Sequence, residues 1–208
     1  MNTIYPVIIS VPDKKNHLAG RDRTAYLSGL ARQAVEISAR KRGVLIGAFL
    51  KNEDGAPLPF DDNYWSVTQQ PQYAGGIVSP VRAGIDIERV RPISEFLFRK
   101  TASRQEWDLW GNPTFRDFFC CWTSKEAVLK AVGTGTEDLL LCRLIQVIDE
   151  NHLRLCYQGK KRLVEHLFFD GHIASVVKDT LQIKWELITD VSHVLDDLHS
   201  SGHGAWVI

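Results

Sequence analysis

Three carboxylate side chains in this sequence could act together on one cation: Asp86, Glu88 and Glu126. Asp86 and Glu88 alternate with isoleucines, so on a β-strand both carboxylates would lie on the same face, about 7 Å apart. An oxygen-only set without His or Cys suits a hard cation such as Mg²⁺, which usually completes its coordination shell with water and phosphate oxygens. The three acidic residues are therefore predicted to be metal ligands.

Two lysines, Lys125 and Lys130, lie in the same predicted helix as Glu126. Trp122, Glu126 and Lys130 are spaced i, i+4 and i+8, which puts them on one helical face. Carboxylates, a divalent cation and lysines together favour phosphoryl-group chemistry over a structural ion cluster. Two simpler interpretations stay open from these residues alone. Glu126 and Lys130 could form an ordinary surface ion pair, and the two acidic residues of the strand could be its solvated face.

One helix and one strand must position these side chains. Good helix formers without Pro or Gly predict a helix over residues 114–132, ended by Gly133. Strict alternation of apolar and acidic residues predicts a strand over 83–88. A second helix is predicted over 22–39 and another strand over 44–51. Because the chain after Gly133 is rich in strand patterns, the sequence predicts an α/β (α+β) fold.

The composition excludes some classes of function. The chain has 208 residues, enough for one large or two small domains. It has 25 basic and 25 acidic residues, and this balance disfavours a non-specific nucleic-acid binder. No apolar run is long enough to cross a bilayer. Four cysteines without a Cys-x-x-Cys motif predict reduced thiols in a cytoplasmic protein.

Two stretches of the sequence resemble a known family: Gly84–Glu88 and Trp122–Lys130. Together they are similar to the paired signature of the 4′-phosphopantetheinyl transferases. The chain length resembles the larger, surfactin-synthetase-activating (Sfp-like) class. That class is a pseudo-dimer of two similar α/β halves with the active site between them. The resemblance thus predicts an N-terminal half over residues 1–80 and a C-terminal half over 81–208, which carries the metal-binding signature.

The resemblance implies a reaction and its partners. Coenzyme A would bind between the halves, and a serine hydroxyl of an apo acyl or peptidyl carrier protein would attack its β-phosphate. The phosphopantetheine group would be transferred and 3′,5′-ADP would leave, in a Mg²⁺-dependent step that Mn²⁺ could also support. This is the activity of a holo-[acyl-carrier-protein] synthase in fatty-acid, polyketide or nonribosomal peptide synthesis. The family's internal duplication implies a monomer.

The resemblance also implies roles for residues of the signature helix. Glu126 would take the serine proton, directly or through a metal-bound water. Lys125 and Lys130 would contact the phosphates of coenzyme A. Glu126 and Lys130 are accordingly the predicted catalytic residues.

The resemblance upstream of the signature is looser. The strand before Thr68 and Gln69 is similar to the family's strand leading into a Ser/Thr-His pair, so both residues are expected to contact coenzyme A. Gln69 stands where the family commonly has His, and Ala56 stands where Lys often occupies a Gly-x-Pro turn. Arg32, in a basic cluster on the N-terminal helix, is expected to compensate.

These departures motivate an alternative function. The chain could be a non-catalytic module that binds coenzyme A or a carrier protein. A third hypothesis is an unrelated Mg²⁺-dependent phosphohydrolase.

Overall fold

The computed structural model describes residues 2–15, 17–53 and 55–190. The helices are α1 (Gly20–Arg42), α2 (Glu95–Thr101), α3 (Arg104–Trp107) and α4 (Phe115–Val132), with 3-10 turns at Asp13–Lys15, Asp108–Trp110 and Thr136–Asp138. The strands are β1 (Thr3–Ile4), β2 (Val7–Ser10), β3 (Tyr64–Gln69), β4 (Tyr73–Ser79), β5 (Ile85–Arg89), β6 (Arg143–Asp149), β7 (His152–Tyr157), β8 (Lys160–Phe169), β9 (His172–Val177), β10 (Gln182–Ile183) and β11 (Glu186–Ile188). A short helix that the sequence pattern predicts over 191–198 lies outside the described residues.

Helix α1 packs on a four-stranded sheet with the order β11-β2-β4-β3. The buried stripe of the helix has the 3.6-residue period and consists of Leu27, Leu30, Ala31, Ala34 and Val35. Gly76 of β4 allows the close approach, because a Cβ there would lie 2.9 Å from the carbonyl oxygen of Ala31. Gly43 ends the helix in the left-handed conformation, with φ of 70°. The helix predicted over 22–39 is confirmed and is longer at both ends.

Helix α4 packs on a five-stranded antiparallel sheet with the order β5-β9-β8-β7-β6. The helix begins with a capping box, in which Thr114 accepts from the backbone N–H of Asp117 and the Asp117 carboxylate accepts from Thr114 N–H at 2.8 Å. Gly133 ends it, with φ of 87°. Buried side chains of α4 include Phe118, Phe119, Val128 and Leu129, and they belong to the main hydrophobic core. Capping residues at both ends of α4 explain why the limits of this helix could be predicted from the sequence.

The two sheets use the same order of elements: a first strand, a long helix, and then strands whose last member pairs antiparallel with the first. In one sheet β4 returns to β2, and in the other β9 returns to β5. The predicted α/β class is confirmed. Strands β10 and β11 cross over and pair in parallel with β1 and β2. The pseudo-dimer and its division at residues 80 and 81 stay predictions.

Strand β5 lies at the seam between the two sheets. It is an edge strand, and its free edge faces β3. Two hydroxyls of β3 replace a partner strand there: Ser66 Oγ accepts from Ile85 N–H at 3.3 Å, and Thr68 Oγ1 accepts from Ile87 N–H at 3.2 Å. The strand that carries Asp86 and Glu88 is therefore held from both sides.

The prediction of a strand over residues 44–51 is wrong. This segment forms only an isolated bridge, between Lys51 and Pro57. Leu45 is 88% exposed and Leu50 is 60% exposed, while alternate apolar residues pack against the cluster around Trp65. The apolar composition overstated burial here, since no residue of 44–51 is fully buried, and a pattern cannot supply a partner strand. No helix within the described part of the chain has the length and apolar character needed to span a membrane.

Candidate active site

Asp86 and Glu88 lie on β5 beneath helix α4. Asp86 is only 6% exposed and is paired in register with Ser175 of β9. Gly84, just before the strand, explains the close approach of the helix. A Cβ at this position would lie 2.1 Å from the carbonyl oxygen of Ala127 in α4. The glycine of the first signature stretch is thus required by packing.

Glu126 and Lys130 reach the same place from α4. Lys130 Nζ lies 2.7 Å from Asp86 Oδ1 and donates a second bond to the carbonyl oxygen of Ile85 at 3.2 Å. Lys130 therefore pairs with the strand, in contrast to the simpler interpretation of a surface pair with Glu126. The structure brings together four of the five predicted site residues of the paired signature: Asp86, Glu88, Glu126 and Lys130.

Burial and neighbouring negative charge perturb the two glutamates of this group. Burial, the negative charge of Asp86 and that of Glu88 raise the pKa of Glu126 to about 7, against the opposing charge of Lys130. Burial and Asp86 likewise raise the pKa of Glu88 to about 7, although Arg91 and Lys130 lower it. These shifts require the acidic groups to be close and partly withdrawn from water. The cluster therefore holds more negative charge than its lysine neutralises.

This set of donors fits a hard divalent cation in chemistry and charge. Asp86 Oδ2 and Glu126 Oε1 are buried and have no hydrogen-bond partner among the described residues. Buried acceptors without a donor are rare, and a cation would satisfy both. As the side chains stand, no three His, Cys, Asp or Glu residues of the described ranges converge closely enough to hold a metal ion. Lys130 occupies one side of Asp86 instead, so cation binding would need side-chain rotation.

Thr68 contacts Asp86 directly. Its hydroxyl donates to Asp86 Oδ1 at 3.0 Å, and the side chain is buried. Since the hydroxyl has a single proton, Thr68 in this arrangement orients the carboxylate and has no proton left for a cofactor. This role differs from the coenzyme A contact that the resemblance implied.

Gln69 and Arg32 lie on the other side of the seam, beside α1. The exposed Gln69 amide donates to Ser28 Oγ at 3.2 Å. Ser28 and Arg32 are four residues apart on α1 and hence share a face. The turn containing Ala56 lies against the end of α4, because a Cβ on Gly133 would be 3.5 Å from the Ala56 Cβ. The upstream residues thus lie around the same seam, and their contacts with coenzyme A stay predictions.

Lys125 does not join the carboxylate cluster. Its side chain is 0% exposed, and its ammonium donates to Glu106 Oε1 at 2.8 Å and to the carbonyl oxygens of Thr101 and Leu139 at 2.8 and 3.2 Å. Three donors meet three acceptors, so the buried charge is fully satisfied. The predicted phosphate contact of Lys125 is corrected by this finding: one step along a helix turns the side chain by about 100°, away from the face of Glu126.

Sequence reasoning missed three buried polar residues around the site: Ser66, Glu106 and Ser175. Ser66 shares a face of β3 with Thr68, so strand alternation was an available signal. Glu106 stands at the third position of a capping box that begins at Ser103, which predicts a helix start but not a buried lysine partner. Ser175 lies within an apolar strand, where nothing in the sequence distinguishes it.

Comparison with known proteins finds a similarity in the region that carries the carboxylate cluster. Residues 82–181 match the 4′-phosphopantetheinyl transferase superfamily. The 4′-phosphopantetheinyl transferase gsp of Aneurinibacillus migulanus is 30% identical over 92 residues, which are 42% of this chain and 38% of that relative. The match thus spans under two fifths of the relative's length. Residues 82–181 of the chain are thus similar to the 4′-phosphopantetheinyl transferase superfamily.

Proposed function

We propose that this protein transfers the 4′-phosphopantetheine group of coenzyme A to a serine of an apo acyl or peptidyl carrier protein, releasing 3′,5′-ADP. One observation supports this activity above the others. The two acidic residues of β5 meet Glu126 and Lys130 of α4 at the seam between two sheets, inside the part of the chain that matches the superfamily. The activity is that of a holo-[acyl-carrier-protein] synthase.

Asp86, Glu88 and Glu126 would hold Mg²⁺, or Mn²⁺ in its place. A divalent cation at this point supplies positive charge to the pyrophosphate of coenzyme A. Thr68 and Lys130 hold Asp86 by hydrogen bonds of 3.0 and 2.7 Å, which fixes one carboxylate at the base of the site.

Coenzyme A would lie along the seam. Lys130 is the one lysine of the signature helix that remains near the carboxylates, and its ammonium would also contact a phosphate oxygen. Gln69 and Arg32 are proposed contacts for the nucleotide end. Lys125 has no part in this proposal, because its three protons are already donated within the protein.

The carrier serine must lose its proton as it attacks. The new bond joins the serine Oγ to the β-phosphorus, and the bond between that phosphorus and the oxygen of 3′,5′-ADP breaks. Glu126 has a carboxylate oxygen without a hydrogen-bond donor, so it can accept the proton directly or through a water. Glu126 would therefore have two roles: it would bind the cation and accept the proton of the serine.

Intact-mass measurement of apo carrier proteins tests the proposal. Incubation with coenzyme A and Mg²⁺ should add one phosphopantetheine group to the carrier serine, and removal of Mg²⁺ should stop the addition. Glu126→Gln should abolish transfer, whereas Glu95→Gln, an exposed glutamate paired with Arg99, is the matched control. Absence of any adduct on several acyl and peptidyl carriers, despite coenzyme A binding, would contradict the activity.

A non-catalytic module is the second candidate. Gln69 and Ala56 motivate it, since each removes a charged side chain from the expected phosphate contacts. Such a module would bind coenzyme A or a carrier and leave the carrier mass unchanged. Free phosphate released from simple nucleotides without a carrier would instead indicate a phosphohydrolase.

We further propose a monomeric cytoplasmic protein, in line with the four free cysteines.

A further inference from the structure

A line of buried polar side chains connects α4 to the sheet next to Asp86. Ser175 of β9 lies directly across from Asp86 in the strand register. Its hydroxyl is 2.5 Å from Thr123 Oγ1 of α4 and 2.8 Å from Nδ1 of His166 on β8. All three residues are buried, and His166 pairs in register with Ser175. The line therefore crosses the layer between helix and sheet beneath the candidate site.

The direction of each hydrogen bond follows from the last acceptor in the line. The carbonyl oxygen of Phe119 can only accept, so Thr123 donates its single hydroxyl proton to it at 2.6 Å. Ser175 must then donate to Thr123. Since Ser175 has no second proton, Nδ1 of His166 must donate to Ser175. His166 therefore carries a proton on Nδ1, and burial, which lowers its pKa to about 3, favours the neutral form of that ring.

Each residue of the Thr123–Ser175 contact lies close in the fold to one of the carboxylates. Thr123 precedes Glu126 by three residues and lies on the same helical face. Ser175 is the register partner of Asp86. The contact between these two hydroxyls therefore helps to set how far Glu126 of the helix lies from Asp86 of the strand.

We propose that Thr123, Ser175 and His166 are positioning residues that set the spacing of the carboxylates at the candidate metal site. The inference rests on the proposed function, because it assumes that these carboxylates hold Mg²⁺. None of the three residues would touch the cation or the substrate. Groups that orient metal ligands commonly contribute to affinity, and these three residues would act one step further away, through the spacing of the helix and strand that carry the ligands.

Matched serine variants separate positioning from ordinary stability. Ser175→Ala removes the central hydroxyl. Ser38→Ala removes an equally buried hydroxyl in the other sheet layer, where it accepts from the backbone N–H of Val78 at 2.9 Å. Ser175→Ala should weaken Mg²⁺ binding about tenfold in titration calorimetry, and Ser38→Ala should change it less than about twofold. Urea unfolding of both variants reports the loss of stability, which we expect to be similar.

Two threonine variants and one spectrum complete the test. Thr123→Val should weaken Mg²⁺ binding as Ser175→Ala does, and Thr123→Ser should restore it because the hydroxyl returns. Nitrogen chemical shifts of His166 should show the Nδ1–H tautomer in the wild-type protein. Wild-type Mg²⁺ affinity in Ser175→Ala and Thr123→Val overturns this inference alone. A wild-type protein that binds no Mg²⁺ and modifies no carrier overturns the proposed function, and the inference with it.

Discussion

Lys130 of α4 and Asp86 of β5 form an ion pair of 2.7 Å that joins the two halves of the paired signature. The pair is partly buried, so it is screened less than a surface ion pair. It leaves Asp86 Oδ2 and Glu126 Oε1 without donors. Lys130 thus pairs with one of three neighbouring acidic side chains and fixes its position.

Replacement of Lys130 by Met should reduce transfer strongly. The variant removes the positive charge beside the carboxylates, and loss of one such stabilising group usually costs about 10²–10³-fold in kcat. Steady-state rates of carrier modification at saturating coenzyme A measure the effect. Lys161→Met, at an exposed position on β8, is the control for loss of a lysine. A Lys130→Met enzyme with near wild-type kcat would contradict the assigned role.

Mg²⁺ should stabilise the wild-type protein against unfolding. A ligand at about 100 times its Kd adds about 2.7 kcal/mol, which thermal melts with and without chelator will detect. Glu126→Gln should lose most of this gain, whereas Glu95→Gln should keep it.

The same Glu126→Gln variant should be more stable than wild type when metal is absent. Glu126 has a pKa raised from 4.5 to about 7, so above pH 7 its charge opposes folding. We expect a gain of about 1 kcal/mol at pH 8, after allowing for partial solvent screening. Equal stability of the two metal-free proteins at pH 8 would contradict the raised pKa of Glu126, which burial and the charge of Asp86 cause.

Lys125→Met should lower the free energy of unfolding of the whole protein and not only affect the candidate site. Removing the lysine leaves the Glu106 carboxylate buried without its cation, which typically costs about 3–5 kcal/mol of unfolding free energy. The double variant Lys125→Met, Glu106→Gln should recover part of this loss, because the glutamine oxygen can still accept from Leu144 N–H. Urea unfolding measures both. If Lys125→Met has wild-type stability but binds coenzyme A weakly, the phosphate contact expected from the sequence is right after all.

His166 should make the fold sensitive to acid. Its folded pKa is about 3 against an ordinary value of 6.5, so in this range the unfolded chain binds one proton that the folded chain does not. Stability therefore falls as pH drops below about 6.5, by about 1.4 kcal/mol per pH unit from this residue. His166→Asn should reduce the slope of unfolding free energy between pH 6 and 4 by about that amount. His17→Asn, at an exposed position, is the matched control, and an unchanged slope in His166→Asn would contradict the prediction.

The limits of α4, and the position of β5 to within two residues, were readable from the sequence because local interactions determine them. The helix is bounded by a capping box at Thr114 and by Gly133, and both act within a few residues along the chain. Alternation of isoleucine with acidic residues defined β5 in the same way. These two elements place Asp86, Glu88 and Glu126 near one another, and their role as metal ligands stays a prediction.

Tertiary contacts determined the partners of individual side chains, which local sequence patterns could not predict. Lys125 and Glu126 are neighbours in sequence, yet one enters the core to meet Glu106 and the other stays with Asp86. Only the packing of α4 on its sheet determines which face is buried. In the same way, residues 44–51 have a strand-like sequence but no partner strand, while Ser175 gains its importance from a register with Asp86. Sequence by itself determined the helix, the strand and the acidic set, because caps and alternation are local. Lys125, Thr68 and Ser175 meet Glu106, Asp86 and Thr123, respectively. These partners lie 18 to 52 positions away along the chain, and only the folded chain brings them within hydrogen-bond distance.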